Sequence, residues 1–157
     1  MVPAEGQESV WDYPRPPALD VVERHVVVAS GDVVLADARR AIRVLETSHP
    51  PTFYVHRDDL RLEHFAAGAG SSFCEWKGMA AYLDLIDPRP VPSVAWWYPE
   101  PSVPFAALRD HVAFYPQLVD CTVDGEPVQP QPGRFYGGWV TSDVVGPFKG
   151  EPGSNGW

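Results

Sequence analysis

Eighteen prolines are scattered through a chain of 157 residues, and no other feature restricts the fold as strongly. Proline has no backbone N–H and a fixed φ, so it breaks helix interiors and is excluded from central strands. Average usage is roughly 5%, and this chain carries more than twice that share. It must be cut into short strands joined by rigid turns.

The segments between the prolines fit that picture. His25–Ala29 and Val33–Ala36 are β-branched runs around Ser30-Gly31-Asp32, a hairpin signal. Thr52–His56, Val94–Tyr98 and His111–Tyr115 read as strands, the last two stopped by Pro99 and Pro116. Leu118–Val123, Asp124-Gly125 and Pro127-Val128 form a second hairpin. Phe73–Lys77 and Ala80–Ile86 read as two strands, or as one bent at Gly78. Ala38, Ala41, Ile42 and Leu45 fall at helical spacing, which predicts a short helix over 38–46 ended by His49-Pro50-Pro51. Arg57–Leu62 is expected to be a turn with a helical twist, and Pro104–Arg109 a helical turn with proline at its start. Gly68–Ser72 reads as a flexible connector. The expected fold is mainly β: a compact sandwich or barrel of about eight short strands with one or two short helices.

Both ends are rich in proline, yet they hold aromatics that a disordered tail seldom carries. Trp11 and Tyr13 mark an N-terminal strap over 1–23. Phe135, Tyr136, Trp139, Phe148 and Trp157 mark a C-terminal strap over 129–157. The β-domain between them is expected over 24–128.

Charge and composition exclude several functions. With 12 basic and 21 acidic residues the net charge is −9, the wrong sign for a partner of nucleic acid. No stretch of about 18 apolar residues is present to cross a membrane. Met1–Glu5 has no basic region followed by an apolar run, so no secretory signal is read and a cytoplasmic location is expected. Cys74 and Cys121 stand alone, no Cys-x-x-Cys pair exists, and the histidines show no ligand spacing. A metal-free protein without a cofactor is expected. Both cysteines read as buried strand residues rather than as reactive thiols. No Gly-x-Ser-x-Gly elbow supports a serine hydrolase.

Several phrases occur in an order similar to one known family. They are Val44-Leu45-Glu46 leading to Pro50-Pro51-Thr52-Phe53-Tyr54, Cys74-Glu75-Trp76-Lys77-Gly78 with Ala81-Tyr82, Ala95–Pro99, His111–Pro116 and Val123-Asp124-Gly125. Together they resemble the domain of unknown function 427 family, and the flanks look like an actinobacterial-type subgroup. The resemblance implies a β-tent (Mss4-like) fold, shared with methionine-(R)-sulfoxide reductases and the cereblon ligand-binding domain, and no established activity. Some members carry a nucleotidyltransferase label, which these residues do not support. Asp58 and Asp59 are adjacent, so a strand would point them to opposite faces, and no Asp-x-Asp occurs. Lys149 is followed by Gly150, so the glycine-rich tail is no P-loop.

Candidate site residues follow from charge beside aromatics. On a strand, Glu75 and Lys77 would share one face. The plain reading is a surface ion pair; the sharper one has Lys77 binding an anionic or carbonyl group. In Val94–Tyr98 both faces are bulky, and one of them needs cover, a partner or a pocket. Glu46 near a helix C-terminus would be out of favour with the dipole and would seek Lys77 or Arg61. Glu46, Tyr54, Lys77, Trp97 and Tyr98 are expected to converge on one pocket for an unknown small molecule. Glu46 or Glu75 would be base, Lys77 cation or acid, Tyr54 donor, and Trp97 and Tyr98 wall. A noncatalytic ligand-binding or protein-interaction module, as monomer or homodimer, is the alternative.

Overall fold

The computed structural model describes residues 2–133, 136–154 and 157. Its strands, in chain order, are β1 (Glu8–Ser9), β2 (Ala18–Val22), β3 (Val26–Ser30), β4 (Val33–Ala38), β5 (Ala41–Leu45), β6 (Thr52–His56), β7 (Phe65–Cys74) and β8 (Gly78–Leu85). They continue with β9 (Val91–Trp97), β10 (His111–Phe114), β11 (Asp120–Val123), β12 (Glu126–Pro127), β13 (Gln129–Pro130), β14 (Trp139–Val140) and β15 (Val144–Val145). Seven form one antiparallel sheet in the order β2-β5-β6-β10-β9-β8-β7, and four form a second in the order β12-β11-β3-β4. Both sheets are open; none of the described strands closes a barrel.

The two sheets pack face to face because apolar side chains alternate along their strands. Phe53 and Val55 of β6, Val112 and Phe114 of β10, and Ala95 of β9 join Val26, Val28, Leu35 and Ala36 of the small sheet in the main core. The residues between them face the other way. Ile42, Val44, Tyr54, Trp96 and Ala113 form a second cluster with Tyr98, Phe105 and Leu108. Period two thus gives the large sheet two apolar faces of different character.

Several expectations need correction. Residues 38–46 are not helical: β5 runs through them, bonded to β2 on one side and β6 on the other. Gly68–Ser72 is not a connector but the middle of β7, where the register against β8 shifts between Ala67 and Ser71. Gly70 takes φ +78° there, a conformation open to glycine. The strands exceed eight because β2 and β5 add to those expected and five others are only two residues long. The helical segments are 3-10 turns at Val10–Asp12, Arg57–Asp59, Leu62–His64 and Val103–Leu108, and no α-helix occurs among the described residues. None of them is long and apolar enough to cross a membrane. Residues 18–22, placed in the N-terminal strap, are an edge strand of the large sheet.

Outside that strand, both straps lie on the domain and on each other. β1 pairs in parallel with β15. Trp11 Nε1 donates to the Pro147 carbonyl at 2.8 Å, and its ring meets Trp157 edge-on at 5.1 Å. Tyr13 is buried. Trp139 is wholly buried, stacks on Phe53 at 5.2 Å and donates its Nε1 to the Phe114 carbonyl at 3.0 Å. Phe135 lies outside the described residues.

Candidate functional site

The second face of the large sheet is the floor of a cavity of about 440 Å³. Val44, Thr52, Tyr54, Ala80, Tyr82 and Trp96 supply the floor from β5, β6, β8 and β9. Three other pieces of chain wall it: the loop Glu46–Pro50, the end of the β7–β8 hairpin, and Tyr136-Gly137-Gly138 of the C-terminal strap.

Each wall is held by named bonds. The 46–50 loop is clamped from both termini: Thr47 N–H donates to the Pro14 carbonyl at 3.2 Å, Ser48 N–H to Val10 at 3.0 Å, and Lys149 N–H to Ser48 at 2.7 Å. Ser48 is fully buried with φ +70°. The hairpin end is propped by the segment after β9, where Ser102 N–H donates to the Lys77 carbonyl at 2.9 Å and the Ser102 hydroxyl to the Trp76 carbonyl. Gly78, at φ +109°, closes that turn. On the third wall, buried Gln131 accepts from Gly138 N–H at 3.2 Å and donates to the Lys149 carbonyl at 2.8 Å. Gly137 lies so close to Trp96 that a Cβ there would run into the indole.

The floor is a hydrogen-bonded aromatic group. Trp96 Nε1 donates to the Tyr54 hydroxyl at 3.0 Å, and the two rings meet edge to face at 6.1 Å. The Tyr115 ring lies 4.4 Å from that of Trp96. Burial, above all, pushes the Tyr54 and Tyr98 phenols well above their ordinary range. Burial also pushes Tyr115 up to about 12. At neutral pH these groups are O–H donors and not phenolate bases.

Two charged residues lie on the walls. Lys77 is 8% exposed, with its amine 5.8 Å from the ring centres of both Tyr98 and Phe105. Among the described residues it makes no ion pair and no hydrogen bond through its amine. Glu46, in the opposite loop, sits 3.9 Å from Arg15 and 4.0 Å from His49. His49 Nδ1 is 2.9 Å from the Thr47 carbonyl. A carbonyl only accepts, so Nδ1 carries the proton and Nε2 is the basic nitrogen of the neutral ring.

A family model described as a domain of unknown function (DUF427) matches residues 18–125. The chain belongs to that family. No curated protein matches it. The DUF427 segment supplies the whole floor, the 46–50 loop and the hairpin end. Gln131 and Tyr136–Gly138 lie beyond it.

Glu46, Tyr54, Lys77 and Tyr98 line this same cavity. Trp97 does not join them. It points to the opposite face, beside Leu83 and Val112, because neighbouring residues of a strand point apart. Convergence of all five therefore fails, and Trp96 occupies the wall position given to Trp97. Glu75 does not line the cavity either. It is exposed in the turn at 75–77, so it shares no strand face with Lys77 and does not balance its charge. Glu46 is not at a helix end, and its neighbours are Arg15 and His49 rather than Lys77 or Arg61.

Sequence reasoning passed over His49, Tyr82, Tyr115 and Gln131, which also line the cavity. In the sequence His49 stands as part of a stop before Pro50-Pro51 and as one of five histidines without metal-ligand spacing. A titratable ring just before a rigid turn, between Glu46 and Tyr54, was the available signal. Cys74 lines the cavity half-buried, whereas Cys121 is buried on β11, where burial pushes its thiol up. Among the described residues no group of three or more His, Cys, Asp or Glu side chains could hold a metal ion.

Proposed function

We propose that this protein binds a small molecule in the cavity over the Tyr54–Trp96 floor. One observation carries the reading: a cavity of about 440 Å³ is bounded by an aromatic sheet face and by three stretches of chain that other bonds hold in place. Concave sites of a few hundred Å³, mainly apolar with a few directed polar groups, are what small-molecule sites look like. The lining is more polar than that, with phenol donors, Lys77 and Glu46 set among rings.

The reading carries some relations with it. It treats the two-sheet domain as akin to the β-tent class and the protein as cytoplasmic. It makes the partner a metabolite rather than nucleic acid or a membrane, with the chain acting as monomer or homodimer. Acid–base catalysis is a second reading, favoured by His49: its Nδ1 is engaged by the Thr47 carbonyl, Glu46 stands 4.0 Å away, and both residues line the cavity. In that reading His49 Nε2 is the base and Lys77 the facing cation.

Thermal denaturation against a metabolite panel tests the proposal. A true ligand at 100 times its dissociation constant adds ~2.7 kcal/mol and raises the midpoint. Ala80→Phe, which fills the floor, should abolish the shift while the unliganded protein stays folded. A shift that survives Ala80→Phe would place the ligand elsewhere. Turnover of a bound metabolite that is lost in His49→Gln would add the catalytic reading.

A further inference from the structure

Two cationic residues are buried among the described residues, and the structure treats them differently. Arg43 and Lys77 are each 8% exposed. Arg43 donates to Glu8 at 2.9 Å and to Asp20 at 2.6 Å, so its charge is answered within the fold. Lys77 has no counter-ion among the described residues. Its surroundings are the rings of Tyr98 and Phe105, each 5.8 Å from the amine. Cation–π contact is worth less than an ion pair, and the amine itself is not sealed in but open to the cavity. That cavity has room for a ligand.

We propose that Lys77 anchors the carboxylate of a planar aromatic acid carrying a single negative charge. This inference rests on the cavity being a ligand site. Each part of the ligand has its reason. One unanswered cation calls for one anionic group. The Glu46 carboxylate on the facing wall and the net charge of −9 oppose a polyanion such as a nucleoside triphosphate. Phosphate groups are usually gathered by arginine forks or by the N-termini of helices. Among the described residues the cavity lining includes no arginine and no α-helix occurs. The phenols of Tyr54, Tyr98 and Tyr115 stay protonated at neutral pH, and O–H donors complement carboxylate oxygens. The remaining wall is rich in rings, which favour a flat aromatic body.

Isothermal titration of the full chain with matched probes tests this. The probes are indole-3-acetate, its neutral amide indole-3-acetamide, the cation tryptamine, and inorganic phosphate. The acid is expected to bind at least tenfold more tightly than the amide, with tryptamine and phosphate weakest. Lys77→Met should reduce the acid to the affinity of the amide and leave the amide unchanged, while Lys77→Arg keeps part of the preference. If Lys77→Met does not fold, Lys77→Gln and the wild-type ranking of the four probes decide. Equal binding of acid and amide would overturn the anchoring role and leave the cavity as a ligand site. Phosphate binding as tightly as the acid would overturn the aromatic-acid class. No binding by any probe, together with no hit in the metabolite panel, would remove the cavity reading and this inference with it.

Discussion

The two faces of the seven-stranded sheet come from the same strands and end in opposite conditions. One face meets the small sheet in a core that includes Val28, Leu35, Phe114 and Trp139. The other carries Tyr54, Trp96 and Tyr98, and part of it stays uncovered by any second layer. Arg43 and Phe53 are paired across β5 and β6, so this arginine belongs to the first face, at its margin, where Glu8 and Asp20 neutralise it. Lys77 stands over the second face with no neutralising group among the described residues. Strand alternation alone produces the two faces, but what lies opposite each decides whether it becomes interior or receptacle. A complementary sheet fills one. Loop and strap segments span the other and leave a space beneath.

Perturbing the filled face should cost most. Trp139→Ala removes a wholly buried indole and leaves the Phe114 carbonyl without its donor. A loss of ~3–5 kcal/mol is expected in urea denaturation. A loss below ~1 kcal/mol would show that this face is less tightly packed than its burial indicates.

The spanned face should yield more readily. Gly137→Ala drives a methyl group into the Trp96 ring, so the strap or the indole must shift. The expected cost is ~1–3 kcal/mol, with a shift in tryptophan emission as Trp96 changes its surroundings. An unchanged spectrum would break the claim that the strap rests on the indole.

The smallest effect is expected where the N-terminal strap is pinned to Arg43. The Arg43 guanidinium, more than any other group, holds the Glu8 carboxyl below its ordinary 4.5. A lowered folded value means the stabilisation is present above 4.5 and is lost as pH falls through the folded value. Glu8 is partly exposed, so the effect is under ~1 kcal/mol. Amide exchange of residues 9–13, corrected for intrinsic rates and referred to β10, should lose protection in acid. Glu8→Gln should remove that pH dependence, and an identical acid response in the variant would assign it elsewhere.

Much of this was legible in the chain, and the failures have physical causes. The hairpins at 26–38 and 120–127 and the strands at 52–56 and 111–114 follow from β-branched runs between turn residues. Residues 41–45 misled because β5 is buried on both sides, and the burial alternation disappears when both faces of a strand are covered. Gly68–Ser72 misled because β7 is an exposed edge strand, held by backbone bonds to β8 that need no packing side chains. Of the site, Glu46, Tyr54, Lys77 and Tyr98 were within reach of the sequence. Pairing Trp97 with Tyr98 was an error of parity, since two successive residues cannot share a strand face. That Lys77 has no ion-pair partner among the described residues could not be read. It depends on Glu46 turning to His49, three residues on in its own loop, and to Arg15, a contact that arises when the N-terminal strap docks.

The enclosure is a composite of two separable stretches of chain. Its floor and two of its walls belong to the DUF427 segment, and its third wall to residues past 130. Exchanging that terminal stretch between relatives would give one platform a different third side. Under the proposed ligand-binding role the scaffold would be untouched while the admitted shapes changed, so a recombination confined to one end of the gene would be enough to alter selectivity.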